Sequence, residues 1–166
     1  MTEQDNRWIE IAEPRDPRLV RLRGNWQLWQ SDGAIPPTHR FDPQHDSELL
    51  PWTMLVDIEA RPNPYRAFDL TSRFIGSSVA HYFGAEDRQR VSVSEIGDPF
   101  AERWFEVADR VVAARSCCCF QGAPYDTGYA FTHFEMLILP FTTDEVTIDS
   151  LLAAFAMSMV GRAARQ

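Results

Sequence analysis

Residues 133–141 read HFEMLILPF, and this run decides the fold. Alternate side chains of a strand point to opposite faces. Phe131, His133, Glu135, Leu137 and Leu139 then share one face, and Thr132, Phe134, Met136 and Ile138 share the other. A strand with one face in water would be polar on one of these sets. Both sets are mostly apolar, which predicts a central strand covered on both sides. His133 and Glu135 interrupt the apolar surface of one face and are the first functional candidates.

The surrounding composition suits one globular domain. The chain has 166 residues, 45% hydrophobic and 24% charged, enough length for a substantial core. A net charge of −8 disfavours nucleic acid and anionic membrane as partners. All 16 basic residues are arginine, which excludes lysine Schiff-base chemistry and a lysine-based phosphate loop. The N-terminus has no basic-then-apolar leader pattern, and no apolar run reaches the roughly 18 residues of a membrane span. A cytoplasmic location is therefore expected. Cys117, Cys118 and Cys119 are consecutive, a spacing that suits neither metal sites nor disulfide frameworks and reads as small buried residues.

Working outward, residues 1–16 are mixed and acidic and read as a loosely held arm. Asp16 is a natural N-cap with Pro17 at the first helical position, opening a helical segment over 17–33. Leu19, Leu22, Trp26 and Trp29 make one apolar stripe along it, and Gly33 marks its stop. Residues 34–51 are proline-rich and polar, a connector with a short helical turn near Ser47–Leu50. His39 and His45 lie there beside Asp42 and Asp46, but their spacing matches no usual ligand pattern. Trp52–Glu59 and Tyr65–Ile75 read as a hairpin around the turn signal Arg61-Pro62-Asn63-Pro64. A short helix starting at Ser77 and stopping at Gly84 follows, then an irregular stretch over 85–97. A helix capped by Asp98 and Pro99 runs to about Arg115, burying Phe100, Trp104, Val107, Ala108 and Val111. Ser116–Ala123 is a strand, and Pro124–Gly128 turns it into the central strand. Residues 146–157 suit helix or strand by periodicity. Runs of strands separated by a helical block indicate an α+β class with an antiparallel sheet.

Several short motifs occur in a fixed order. They are Trp29, Leu49-Leu50-Pro51 before Leu55-Val56-Asp57, Arg73-Phe74-Ile75-Gly76-Ser77, Phe83-Gly84, and Phe134-Glu135 with Leu137-Ile138-Leu139-Pro140 and Ile148-Asp149. Together they resemble a single-domain PAS-like family of alphaproteobacteria, a family without an assigned activity, over about Leu22 to Phe155. After Gly84 the chain departs from it: Ala85-Glu86-Asp87-Arg88-Gln89 replaces the family's arginine-aspartate and threonine-glycine, so no role of that loop is carried over. The resemblance implies a five-stranded antiparallel sheet with helices and a pocket on one face and an N-terminal helix covering the other. It favours the strand reading of 146–157. It also implies a sensory domain over 34–166 that binds a small molecule or a signalling protein and acts through a dimer surface.

No nucleophile–base pair, metal triad or G-x-S-x-G is found, so catalysis is not expected. The reactive cysteine motif of flavin photosensors is missing, and His81 is the sole plausible haem ligand, so no cofactor and no metal are assigned. Arg73, Ser77, His81, Trp104, His133 and Glu135 are expected to line one ligand cavity, as the polar or amphipathic residues of apolar elements. Leu19, Leu22, Trp26 and Trp29 are expected to anchor a homodimer. Two other readings remain: a small hydrolase or isomerase using His133 and Glu135, and a structural adaptor with a filled core.

Overall fold

The computed structural model describes residues 8–83, 90–97, 100–123 and 132–159. In chain order its elements are β1 (Ile9–Ile11), α1 (Pro17–Trp29), β2 (Thr53–Glu59), β3 (Asp69–Ile75), α2 (Ser77–Phe83), α3 (Phe100–Ala114), β4 (Cys118–Gly122), β5 (Thr132–Thr142) and β6 (Ile148–Met159). The strands make one sheet in the order β1-β4-β5-β6-β2-β3, every neighbouring pair antiparallel.

β5 lies in the interior of the sheet, between β4 and β6, and Met136 to Phe141 are buried without a break. Its two faces meet different covers. On the odd-numbered face, Phe141 lies 6.4 Å from Trp29 of α1. On the even-numbered face, Met136 pairs with Phe155 of β6, whose ring lies 6.2 Å from Trp104 of α3. The continuous apolar run is thus the sequence signature of a strand between two helical layers.

α1 begins where the sequence places it. The Asp16 carboxylate accepts the Arg18 N–H at 2.9 Å and Pro17 opens the helix. Leu19, Leu22 and Trp26 are buried against the chain's own sheet, each apolar side chain contributing about 1.5–3 kcal/mol. The stripe expected to anchor a dimer therefore seals its own protomer. Only Trp29 is partly exposed. With 13 residues α1 is about 20 Å long and rests on β5 and β6.

The five expected strands are β2 to β6, and residues 148–159 are indeed strand. A sixth, β1, lies within the segment read as a loose arm. Ile9, Glu10 and Ile11 pair with Gln121, Phe120 and Cys119 of β4, and the Arg110 side chain donates to Glu10 at 2.8 Å. β3 starts at Asp69, later than expected, because Asn63 organises the preceding loop. Its Oδ1 accepts the N–H groups of Tyr65 and Arg66, and its Nδ2 donates to Phe68 O. That loop clamps α3, with Tyr65 stacked 5.6 Å from Phe105.

Two close approaches fix the remaining elements. A Cβ at Gly76 would lie 2.4 Å from Pro51 O, so glycine lets α2 sit directly on the Leu50–Trp52 turn. The connector crosses the α1 face of the sheet: Thr142 N–H donates to Pro36 O at 3.1 Å, and the Thr38 and Ser150 hydroxyls lie 3.1 Å apart. Gly84, the divergent stretch 85–89, Asp98 and Pro99, and the turn at Pro124–Gly128 lie outside the described residues.

Candidate functional site

Because α1 covers β5 and β6, the β2–β3 end of the same face is left to the connector. Between connector and sheet lies a groove of about 840 Å³, within the size range of small-molecule sites. Leu55, Phe74 and Leu152 form its floor; they are neighbours because Leu55 pairs with Phe74 on one side and Leu152 on the other. Phe41, Pro43 and Leu50 from the connector make the facing wall, and Thr143 and Glu145 of the β5–β6 turn close one end.

Arg73 reaches this groove through an irregularity in strand pairing. The register shifts between Leu55 and Val56, whose partners are Phe74 and Ser72, so Arg73 is the extra residue of a bulge. Its guanidinium pairs with Asp57, through Nε at 3.2 Å and through Nη2. Both side chains are partly exposed, 45% and 32%, so this is a surface ion pair that holds the guanidinium in place and not a buried structural bridge.

The six expected ligand residues do not share this site. Arg73 alone lines the groove. Ser77 is exposed at the start of α2, and His81 is exposed with its ring 5.2 Å from Tyr82. Trp104 is buried under α3. His133 is exposed, and its carbonyl accepts the Ser158 hydroxyl at 3.5 Å. Glu135 lies on the α1 face, where its carboxylate accepts the N–H groups of Arg15 and Asp16 at 2.8 and 3.0 Å. The physical reason is strand parity: odd residues of β5 face α1, whereas Trp104 lies across the sheet under α3. Glu135 therefore holds the approach to α1.

The chamber between α3 and the sheet, where a PAS-like pocket is expected, contains Trp8. Its ring stands edge-on to Trp104, Phe134 and Phe100, with centroids 5.3, 5.4 and 6.3 Å away. Gly122 makes room, since a Cβ there would lie 2.8 Å from Trp8 Cδ1. The indole N–H groups of Trp8 and Trp104 are buried without a hydrogen-bond partner among the described residues. A cavity of about 220 Å³ remains beside Trp8, bordered by Glu10, Glu106 and Phe120.

The buried ionisable groups are structural. Asp69 is 2% exposed. Burial opposes its charge, but hydrogen bonds from Ser92, Ser94 and the Leu70 N–H, with the Arg61 charge, outweigh it and lower its pKa. Burial pushes the thiols of Cys118 and Cys119 up to about 11 and about 12, so both stay protonated at neutral pH and are poor nucleophiles. Among the described residues no cluster of three or more His, Cys, Asp or Glu side chains could hold a metal ion. No described helix is long and apolar enough to cross a membrane.

Sequence reasoning missed the groove because its floor residues read as ordinary strand core. The usable signals were Phe74, an apolar residue on an edge strand, and the prolines of the connector. No curated protein matches the chain. The sheet order, the helices on both faces and a match to the family described as PAS domain over residues 15–156 agree with one another: the chain belongs to the PAS domain family.

Proposed function

We propose that this PAS domain is a non-enzymatic sensory module that binds a small molecule in the groove on the α1 face. PAS domains are typically sensory or signalling modules and usually non-catalytic. The observation that carries the reading is the groove itself, about 840 Å³ with a largely apolar lining and an arginine, Arg73, held in place by Asp57. The chamber under α3, by contrast, is occupied by the chain's own Trp8. A catalytic use of His133 and Glu135 has little support, because the Glu135 carboxylate already binds two backbone N–H groups. A filled-core adaptor accounts for the chamber but not for the groove.

The signal passes by contact, through a homodimer or a partner protein. Leu19, Leu22 and Trp26 are unavailable to a partner, but Val20 and Leu28 on the outer side of α1 are 49% and 83% exposed. Val20, Gly24 and Leu28 recur every four residues and so share one helix face. Nothing lies within 4 Å of a Cβ built at Gly24, so a second helix could approach closely. Native mass spectrometry of freshly purified protein tests the ligand. A bound mass lost on denaturation is expected, and a native mass equal to that of the bare chain in every preparation would favour the adaptor.

A further inference from the structure

The lining of the groove is selective about what it can hold. Its hydroxyl groups are already engaged: Thr38 with Ser150, Thr142 with Asp144, and Thr143 with Asp149. A sugar-like molecule would find few free partners there. Among the described residues, the other charged or ionisable liners are His39 of the connector and Glu145 on the turn. Arg73 is level with Leu151 and Leu152 through the register of β2, whereas Glu145 lies beyond Ile148. The Arg73 guanidinium is held on Asp57, level with Ser150, so the two charges lie on different strands, two strands apart across the sheet. Apolar surface lies between them.

We propose that the groove takes a linear aliphatic carboxylic acid, its chain along Leu152, Leu55 and Phe74 and its carboxylate on Arg73. This rests on the groove being the ligand site proposed above. Asp57 holds the Nε and Nη2 edge of the guanidinium and leaves the Nη1 N–H groups for the ligand. A charge-assisted bond of this kind is about twice as strong as a neutral one, which favours a carboxylate over a carbonyl or alcohol head. Glu145 repels a carboxylate at the far end and so sets the direction in which the acid lies. Phe74, 40% exposed, is the floor residue with most surface to gain from being covered.

Calorimetric titration of the protein with decanoate and with decan-1-ol tests this. Decanoate is expected to bind the wild type more tightly than the alcohol. Arg73→Gln should weaken decanoate about tenfold or more, the worth of a hydrogen bond to a charged group, and leave decanol unchanged. Asp57→Asn removes the competing negative charge and should tighten decanoate alone. Phe74→Asp, at an exposed position, should abolish binding of both, with an unchanged thermal midpoint reporting an intact fold. Equal binding of acid and alcohol, indifferent to Arg73→Gln but lost in Phe74→Asp, would overturn the acid assignment and leave the groove standing. Binding that survives Phe74→Asp would overturn the groove and the acid together. No binding of either probe would overturn the acid assignment alone.

Discussion

The indole N–H of Trp26 donates to the carbonyl of Pro140 at 3.0 Å, across 114 residues of chain. Pro140 lies two residues beyond Ile138, where the pairing of β4 with β5 ends. Proline lacks the N–H of a ladder residue, so it is tolerated where no neighbouring strand needs that group. Its carbonyl would be orphaned in the core, and Trp26 satisfies it. α1 is thereby held by one buried directional bond as well as by its apolar stripe.

Trp26→Phe keeps an aromatic ring but removes the donor and part of the buried volume, so a packing loss adds to that of the hydrogen bond. A stability loss of at least about 1–3 kcal/mol is expected, the cost of leaving a buried acceptor unpaired, measured by urea unfolding. Trp26→Glu should yield unfolded or aggregated chain, since the side chain is 1% exposed. A well-folded monomer from Trp26→Glu would show that the residue serves an interface.

Leu28→Glu asks the opposite question at a position 83% exposed. Light scattering after size exclusion should give a wild-type dimer of about 38 kDa, twice the 19.0 kDa chain, by two-fold symmetry. The variant should be a folded monomer. A monomeric wild type at micromolar concentration would remove the dimer from the account.

Trp8 and Gly122 form a seat and its occupant. Gly122→Val should displace the indole, because even a Cβ would come within 2.8 Å of it. Hydrogen exchange at the β1 amides is expected to rise sharply while β5 and β6 stay protected. Unchanged β1 protection would mean that Trp8 does not anchor the strand.

Asp69 gives the domain a defined acid sensitivity. Its folded pKa is lowered from 3.8, so its contribution is fully present above that value. It is lost as pH falls through the lower folded pKa, when the carboxylate takes up a proton. Asp144 is lowered to about 2, first by the Thr147 N–H and then by the Val146 N–H and Thr142, and acts in the same direction. Urea midpoints should therefore fall between about pH 4 and about pH 2, and Asp69→Asn should flatten part of that slope. An identical pH profile for Asp69→Asn would refute the assignment.

The layered architecture was legible because it is written in patterns one strand or one helix long. The unbroken apolar run of β5 announced two covers, and Asp16-Pro17 with the stripe behind it announced one of them. β6 was ambiguous because its alanines, Ala153, Ala154 and Ala156, suit helix and strand alike; they are small where the sheet packs between two layers. β1 was missed because three residues carry too little periodicity, and its anchor, Trp8, precedes it. The candidate site was least legible. Whether Glu135 faces α1 or α3 depends on which helix covers which face, a tertiary fact that parity alone does not contain. Arg73 was found as a polar residue in an apolar strand, but the bulge that turns it toward Asp57 has no local signal.

Methyl NMR during titration of the protein with decanoate tests the central claim most directly, because the two faces of the sheet carry different methyl groups. A ligand in the groove is expected to shift Leu50, Leu55 and Leu152 and to leave Met136 and Ile138 in place. Shifts centred on Met136 and Ile138, with Leu55 and Leu152 unmoved, would put the ligand in the chamber under α3 and contradict the account.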